Sequence, residues 1–168
     1  SKEHLASIYK NIGNAYCMCK DYDKGFEYYK KGYAIIPKGD KELTFKLLVN
    51  LFGVCLNRKD LKEARKYSQL IQTSPHPETA ENQFYITFSK ALLTSEEAHY
   101  AEANKILIDL AKTSIAAKLP AIFICSVYSH IYTNYMEMGD MSNALHYIRL
   151  CMQTAEKNHM MHYVPETL

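Results

Sequence analysis

Asp21-Tyr22-Asp23-Lys24-Gly25 returns in altered form as Asp60-Leu61-Lys62-Glu63-Ala64, His99-Tyr100-Ala101-Glu102-Ala103 and Asp140-Met141-Ser142-Asn143-Ala144. Each copy has a polar lead, a mostly large apolar residue, two variable positions and a small residue, and each opens an apolar helical stretch. The small residues at 25, 64, 103 and 144 are spaced by 39, 39 and 41 positions. Three of the four leads are aspartate, which suits a helix N-cap: its carboxylate accepts from the free amides of the first turn. A period of this size is the mark of stacked supersecondary units, none of which buries its apolar face alone.

Each junction is preceded by another helical stretch. Helices are predicted near residues 3–19, 22–36, 41–57, 60–73, 79–94, 99–117, 120–138 and 140–158. The breakers agree with this layout: Pro37 and Gly39 close the first pair, and Pro75 and Pro77 the second. Pro120 falls where the first turn of a new helix tolerates a missing amide. No useful stretch alternates with period two, so strands are not expected. The fold class predicted is all-α.

The first repeat resembles the tetratricopeptide family, whose signature runs W-x2-L-G-x2-Y, then A-x3-F, a small residue and a proline. Tyr9 stands in the tryptophan place, followed by Ile12, Gly13 and Tyr16, then Gly25, Tyr29, Gly32 and Pro37. The second repeat fits through Leu48, Leu51, Cys55 and Ala64, with Phe52 in the glycine place and Gly53 one position late. The third fits through Ala91, Ala103 and Leu107, while Thr87, Lys90 and Thr94 depart from the pattern. The fourth fits through Tyr128, Ile131, Tyr135, Ala144 and Ile148, with Tyr132 for the glycine.

The resemblance implies a right-handed superhelical solenoid of about four antiparallel helix pairs. It implies one array over 1–168, with repeats at 4–38, 41–74, 79–117 and 120–158, and residues 159–168 starting a further, truncated repeat or a linker. Small residues let the helices of a pair cross closely, and large aromatics are expected to fill the space between pairs. The family's usual binding surface is the concave side, lined by the first helix of each pair. On that basis the groove comprises Lys10, Asn14 and Cys17, then Lys46, Val49, Asn50 and Gly53. It continues with Tyr85, Phe88, Ser89 and Leu92, then Ser126, Ser129, His130 and Thr133.

Some members of the family clamp a peptide's C-terminal carboxylate. Lys10, Asn14 and Asn50 match three of that clamp's five places, whereas Tyr85 and Ser89 stand where two basic residues belong. With the basic half absent, a general peptide groove is expected, in which both asparagines bond a peptide backbone and Tyr85 and Phe88 form an apolar pocket.

The remaining composition narrows the function. Twenty basic and eighteen acidic residues leave a net charge of +2, too even for nucleic-acid binding by bulk electrostatics. No apolar run approaches the ~20 residues of a membrane span. The five cysteines, at 17, 19, 55, 125 and 151, are odd in number and lie in apolar surroundings, so they read as reduced core thiols and favour a cytoplasmic setting. Cys17 and Cys19 point about 200° apart on a helix and do not make a metal pair. His159 and His162 flank two methionines in a predicted turn, and His130 and His146 lack an acid or nucleophile partner in sequence. No hydrolase elbow, zinc-protease motif or phosphate loop is present. Neither enzyme activity, a cofactor nor a metal is expected.

The expected function is a protein-interaction scaffold that binds a protein or peptide in the groove, as part of a larger signalling or regulatory protein. Two alternatives stay open. Repeats of ~40 residues, longer than the typical 34, resemble those of peptide-sensing bacterial regulators and sensor proteins, which implies a regulatory domain. Leu145, Ile148 and Met152 on the last full helix, with His162–Leu168 and Pro165 read as a further helix start, point to an array that continues and to self-association through uncovered C-terminal helices.

Overall fold

A computed structural model describes residues 1–160, which form eight α-helices in sequential antiparallel pairs and, among the described residues, no strand. The helices are α1 Lys2–Met18, α2 Tyr22–Ile35, α3 Lys41–Asn57, α4 Leu61–Thr73, α5 Ala80–Glu96, α6 Tyr100–Ala116, α7 Ala121–Glu137 and α8 Met141–Lys157. They follow the predicted spans within one to two residues. The further helix expected at His162–Leu168 lies outside the described residues. The chain divides into two compact units, α1–α4 ending at Glu78 and α5–α8 beginning at Thr79.

Asp21, Asp60 and Asp140 cap α2, α4 and α8, accepting from the amides of Lys24, Glu63 and Asn143 at 3.2, 3.1 and 3.1 Å. Asp40 does the same for α3 through Leu43 at 3.0 Å, a cap hidden in sequence behind Pro37 and Gly39. His99 makes no side-chain cap bond. Pro120 lies at the N-cap of α7, one position before the first turn.

The turn inside each pair is the same device four times over. Lys20, Lys59, Ala98 and Gly139 take left-handed backbone, with φ of 60°, 57°, 63° and 72°. The following amide then reaches back to a carbonyl five residues earlier, as Asp21 to Tyr16 (2.9 Å) and Asp140 to Tyr135 (2.9 Å). Only one of the four is glycine, so this turn leaves no signal in composition.

In the first unit α1 and α2 meet on glycine. A Cβ added at Gly13 would lie 2.5 Å from the Tyr29 ring, and one at Gly25 only 2.4 Å from Cys17 Sγ. Tyr16 and Tyr28 stack beside this contact, 5.4 Å apart and 19° from parallel. α3 is apolar nearly all round and buries Leu47, Leu48, Leu51 and Phe52, as expected of a helix packed on several sides. Arg58 ties it to α2, donating to Asp23 at 2.8 Å while its guanidinium lies over Phe26.

The second unit has its main core in Phe84, Ala91, Leu107, Leu110, Val127 and Ile131. Asn134 on α7 donates to Ser95 on α5 (2.9 Å) and to Asn104 on α6 (2.8 Å), a buried polar clasp across three helices. A smaller cluster of Cys125, Cys151 and Ala155 joins α7 to α8. Tyr135 and Tyr147 stack at 5.8 Å and 21°, repeating the Tyr16–Tyr28 arrangement. These tyrosines bridge the two helices of a pair, Phe84 and Tyr85 meet Phe123 between pairs, and Tyr128, Tyr135 and Tyr147 also pack on the core shared by α5, α6 and α7.

Ala64, Ala103 and Ala144 are all buried at the register positions of Gly25. Ala144→Leu and Ala103→Leu should each lower stability by ~1–3 kcal/mol through overpacking, with the exposed Ser142 as an inert control. Glycine offers a sharper comparison. Gly53 has no atom within 4 Å of an added Cβ, so Gly53→Ala should stabilise α3 by about 1 kcal/mol. Gly13→Ala should destabilise despite the same gain in helix propensity. Urea unfolding checks both signs, and equal effects at the two glycines would contradict the close crossing.

Candidate functional site

The first helices of the first unit hold the candidate groove residues Lys10, Asn14, Lys46 and Asn50. Each lysine lies four residues before its asparagine, one turn along the same helix face. A cleft of about 430 Å³ opens between α1 and α3, lined by Lys10, Lys46, Glu3, Ser7, Asn11 and Glu42 among others. Both predicted lysines therefore sit on one concavity, together with acids that sequence reasoning did not place there. Lys46 is paired with Glu42, an attachment that also holds the Glu42 carboxyl below its usual range. Glu42 is fully exposed to water, so this pair orients the amine more than it stabilises the fold.

The asparagines behave differently from expectation. Asn50 Nδ2 donates to Asn14 Oδ1 at 3.2 Å, and the Tyr29 hydroxyl donates to the same oxygen at 2.8 Å. Both lone pairs of that oxygen are thereby engaged. Neither asparagine is among the residues lining the cleft. Of their side-chain groups only the Asn14 amide and the Asn50 carbonyl are left without a hydrogen bond among the described residues, so neither side chain presents the full donor–acceptor pair expected of it. Burial pushes the Tyr29 phenol well above its usual range, keeping it a donor at all ordinary pH. Beside these, Cys17 and Val49 are half-buried and Gly53 borders open space.

In the second unit the candidate groove is largely closed by its own side chains. Tyr85 meets Phe123 edge-on at 5.7 Å, Phe88 packs on Phe84 at 5.0 Å, and the His130 ring stands against Phe88 at 5.3 Å. The apolar pocket expected from Tyr85 and Phe88 is thus occupied from within. Ser89 and Ser129 are buried, which corrects their assignment to the groove surface. Ser89 donates to its own helix at Ile86 O (3.0 Å), and Ser129 lies 3.7 Å from Cys151 Sγ on α8. A hydroxyl satisfied by its own helix is small enough to serve at a helix contact. Ser126 and Thr133 are half-buried and likewise donate to carbonyls one turn back, at 2.9 and 3.0 Å. Leu92 is half-buried on α5.

A second concavity in this unit was not anticipated. A cleft of about 310 Å³ lies between α5 and α6, lined by Phe84, Thr87, Leu110, Ser114 and Leu119 among others. Thr87 stands where the first and fourth repeats carry Tyr9 and Tyr128. The missing aromatic was visible in sequence, although the space beside it was not.

All five cysteines are free thiols. Cys55, Cys125 and Cys151 are buried as expected, and burial pushes Cys55 and Cys125 up to about 12. Cys17 is only half-buried and Cys19 exposed, so the reading of all five as core thiols holds for three. Among the described residues no three His, Cys, Asp or Glu side chains come together around a metal-sized space, and no helix is long and apolar enough to cross a membrane.

No protein-family model and no curated protein matches the chain. Among solved structures it is similar to the crystal structure of BtubC (BKLC) from P. vanneervenii, at a TM-score of 0.70 and 13% sequence identity, over 100% of this chain and 69% of that one. The likeness establishes the fold as tetratricopeptide-like, with paired helices in sequence.

Half-buried His130 carries a pH signature. Desolvation lowers its pKa to about 4 from an ordinary 6.5. Between those values only the unfolded chain takes up this proton, so the neutral ring's contribution to stability is full above pH ~6.5 and is lost progressively as pH drops toward 4. In urea unfolding across that window, His130→Leu should remove ~1–3 kcal/mol of the pH-dependent loss. An unchanged slope would mean that the ring is protonated in the folded state.

Proposed function

We propose that the chain is a protein-interaction module without catalytic activity, and that the α1–α3 cleft of the first unit takes an extended segment of a partner protein. The cleft carries the proposal: it is open, it is flanked by two lysines and by acids, and its helices turn polar side chains outward. Among the described residues the Lys10 amine makes no ion pair or hydrogen bond, whereas Lys46 is held by Glu42. An extended backbone with an acidic side chain near Lys10 matches this arrangement, and Glu3 favours a basic residue one step further along. One turn further along the two helices, beyond the cleft's own lining, the Asn14 amide and the Asn50 carbonyl would offer one donor and one acceptor to a longer partner backbone. The tetratricopeptide-like fold supports a protein as the ligand.

Selection from a displayed peptide library against the purified chain tests the reading. Selected peptides should lose about tenfold or more in affinity, ~1.4 kcal/mol or above, on Lys10→Glu combined with Lys46→Glu. Asn50→Ala should weaken them less, and charge reversal at the exposed Lys62 of α4 should leave them unchanged. Peptides that tolerate the cleft variants yet are lost with Lys62→Glu would overturn the assignment.

A further inference from the structure

The register that aligns the four pairs also aligns a second contact, nearer the C-terminal end of each pair's second helix. In the first pair Ala6 faces Gly32, whose added Cβ would lie 3.1 Å from the Ala6 carbonyl oxygen. In the last pair the equivalents are Cys125 and Cys151, each thiol reaching the other residue's carbonyl, at 3.7 and 3.5 Å. Both pairs close tightly there. The two middle pairs carry large residues on both sides instead, Phe45 with Ile71 and Phe84 with Leu110, all buried. Side chains of that size hold two helices apart where glycine or cysteine lets them meet. A wedge therefore opens at this end of each middle pair.

The second pair fills its wedge from its own chain. α4 stops at Thr73, Ser74 turns extended, and the segment Ser74-Pro75-His76-Pro77 lays the His76 ring 5.0 Å from that of Phe45. His76 Nδ1 donates to the Ser74 carbonyl at 2.9 Å, which fixes the ring. In the third pair the helix does not stop there. α6 runs on to Ala116, and the residues after it, Ala117, Lys118 and Leu119, include no aromatic. Thr87 also lacks the ring that Tyr9 and Tyr128 supply at its position. What remains is the cleft of about 310 Å³ beside Phe84.

We propose that this cleft takes the aromatic side chain of an extended, proline-flanked segment of a partner protein, as the Phe45 wedge takes His76. The occupant is a ring, because a ring closes the equivalent space against the equivalent phenylalanine. It is uncharged, because no charged side chain lines the cleft and an ion buried there would go uncompensated. The walls can hydrogen-bond it. Among the described residues the Thr87 hydroxyl and the Gln83 amide make no hydrogen bond, and Ser114, which donates to the Leu110 carbonyl at 2.6 Å, keeps its lone pairs for a phenol or imidazole donor. The volume lies at the lower end for ligand pockets, which suits one ring with its flanking backbone. A chain segment is favoured over a free aromatic compound because the filled wedge is closed by one. Its prolines pre-set the extended backbone that carries the ring, so little ordering is left for binding.

The probe is a synthetic peptide of residues 72–78, added to the isotope-labelled 168-residue chain and followed by amide chemical shifts. Thr87, Leu110 and Ser114 should shift with saturation, whereas Phe45 and Leu48, whose wedge is already filled, should not. The peptide carrying His76→Ala should lose about tenfold or more in affinity. In the protein, Thr87→Tyr restores the ring of the first and last pairs at a half-buried position. It should abolish the shifts while circular dichroism stays unchanged; should that variant fail to fold, the His76→Ala peptide still decides. Lys10→Glu with Lys46→Glu should leave the shifts intact, which separates this site from the α1–α3 cleft. Absence of saturable shifts at millimolar peptide, equal binding of the His76→Ala peptide, or shifts confined to Phe45 overturns the proposal. So does saturation of the same amides by p-cresol alone as tightly as by the peptide, which would make the site one for free aromatic compounds.

Discussion

The whole arrangement depends on how closely the two helices of a pair approach. At Gly13 and Gly25 the gap left by a missing Cβ is already filled, by the Tyr29 ring and Cys17 Sγ. In the other pairs alanine serves, fully buried at 64, 103 and 144. Close approach brings large side chains on either side of the crossing into contact across the pair, which is why Tyr16 finds Tyr28 and Tyr135 finds Tyr147 in nearly the same geometry. Packing density then leaves little freedom: with the crossing residue chosen, the facing aromatic has one place to go.

Much of this was legible because it is local. An aspartate three residues before a free amide declares a cap, and a small residue four positions after that aspartate declares a crossing. Helix spans followed directly. The turns were illegible, since Lys20, Lys59 and Ala98 accept left-handed backbone at a cost of roughly 1–2 kcal/mol each, offset by the carbonyl bonds that close the helix. A lysine gives no sign of that in sequence. The candidate site was legible only as a face. Periodicity put Lys10, Asn14, Lys46 and Asn50 on one side of their helices, but whether two asparagines look outward or at each other depends on the separation of α1 and α3. Ser89 and Ser129 failed for the same reason, because a serine on a polar-looking face and a serine at a helix contact read alike.

The periodicity gives no sign of the two compact units that meet after Glu78 in sequence. It runs across that point without interruption, so residues 1–168 read as one array. Register alone does not say whether successive repeats carry residues suited to stacking. At equivalent register positions the residues change from Phe26 and Tyr29 on α2 to Arg65 and Ser68 on α4, then to Asn104 and Leu107 on α6. Spacing reports that a pair of helices is present and leaves open which side chains fill each position.

Tyr29 connects the packing constraint to the proposed binding surface. Its ring occupies the space Gly13 leaves open, and its hydroxyl, fixed by that packing, donates to Asn14 Oδ1. The same oxygen holds Asn50 from α3. One buried phenol thus sets both the crossing of α1 with α2 and the orientation of polar groups on α1 and α3. Three donors and acceptors that would otherwise rotate freely are committed within the fold, so under the proposed function a partner would meet an ordered amide and an ordered carbonyl and would not have to order them. The lysines one turn away carry no such restraint from the core. Lys10 makes no ion pair among the described residues and Lys46 is held only by an exposed carboxylate, so in the proposed complex the backbone contacts would be fixed while the charges adapt to the partner's side chains.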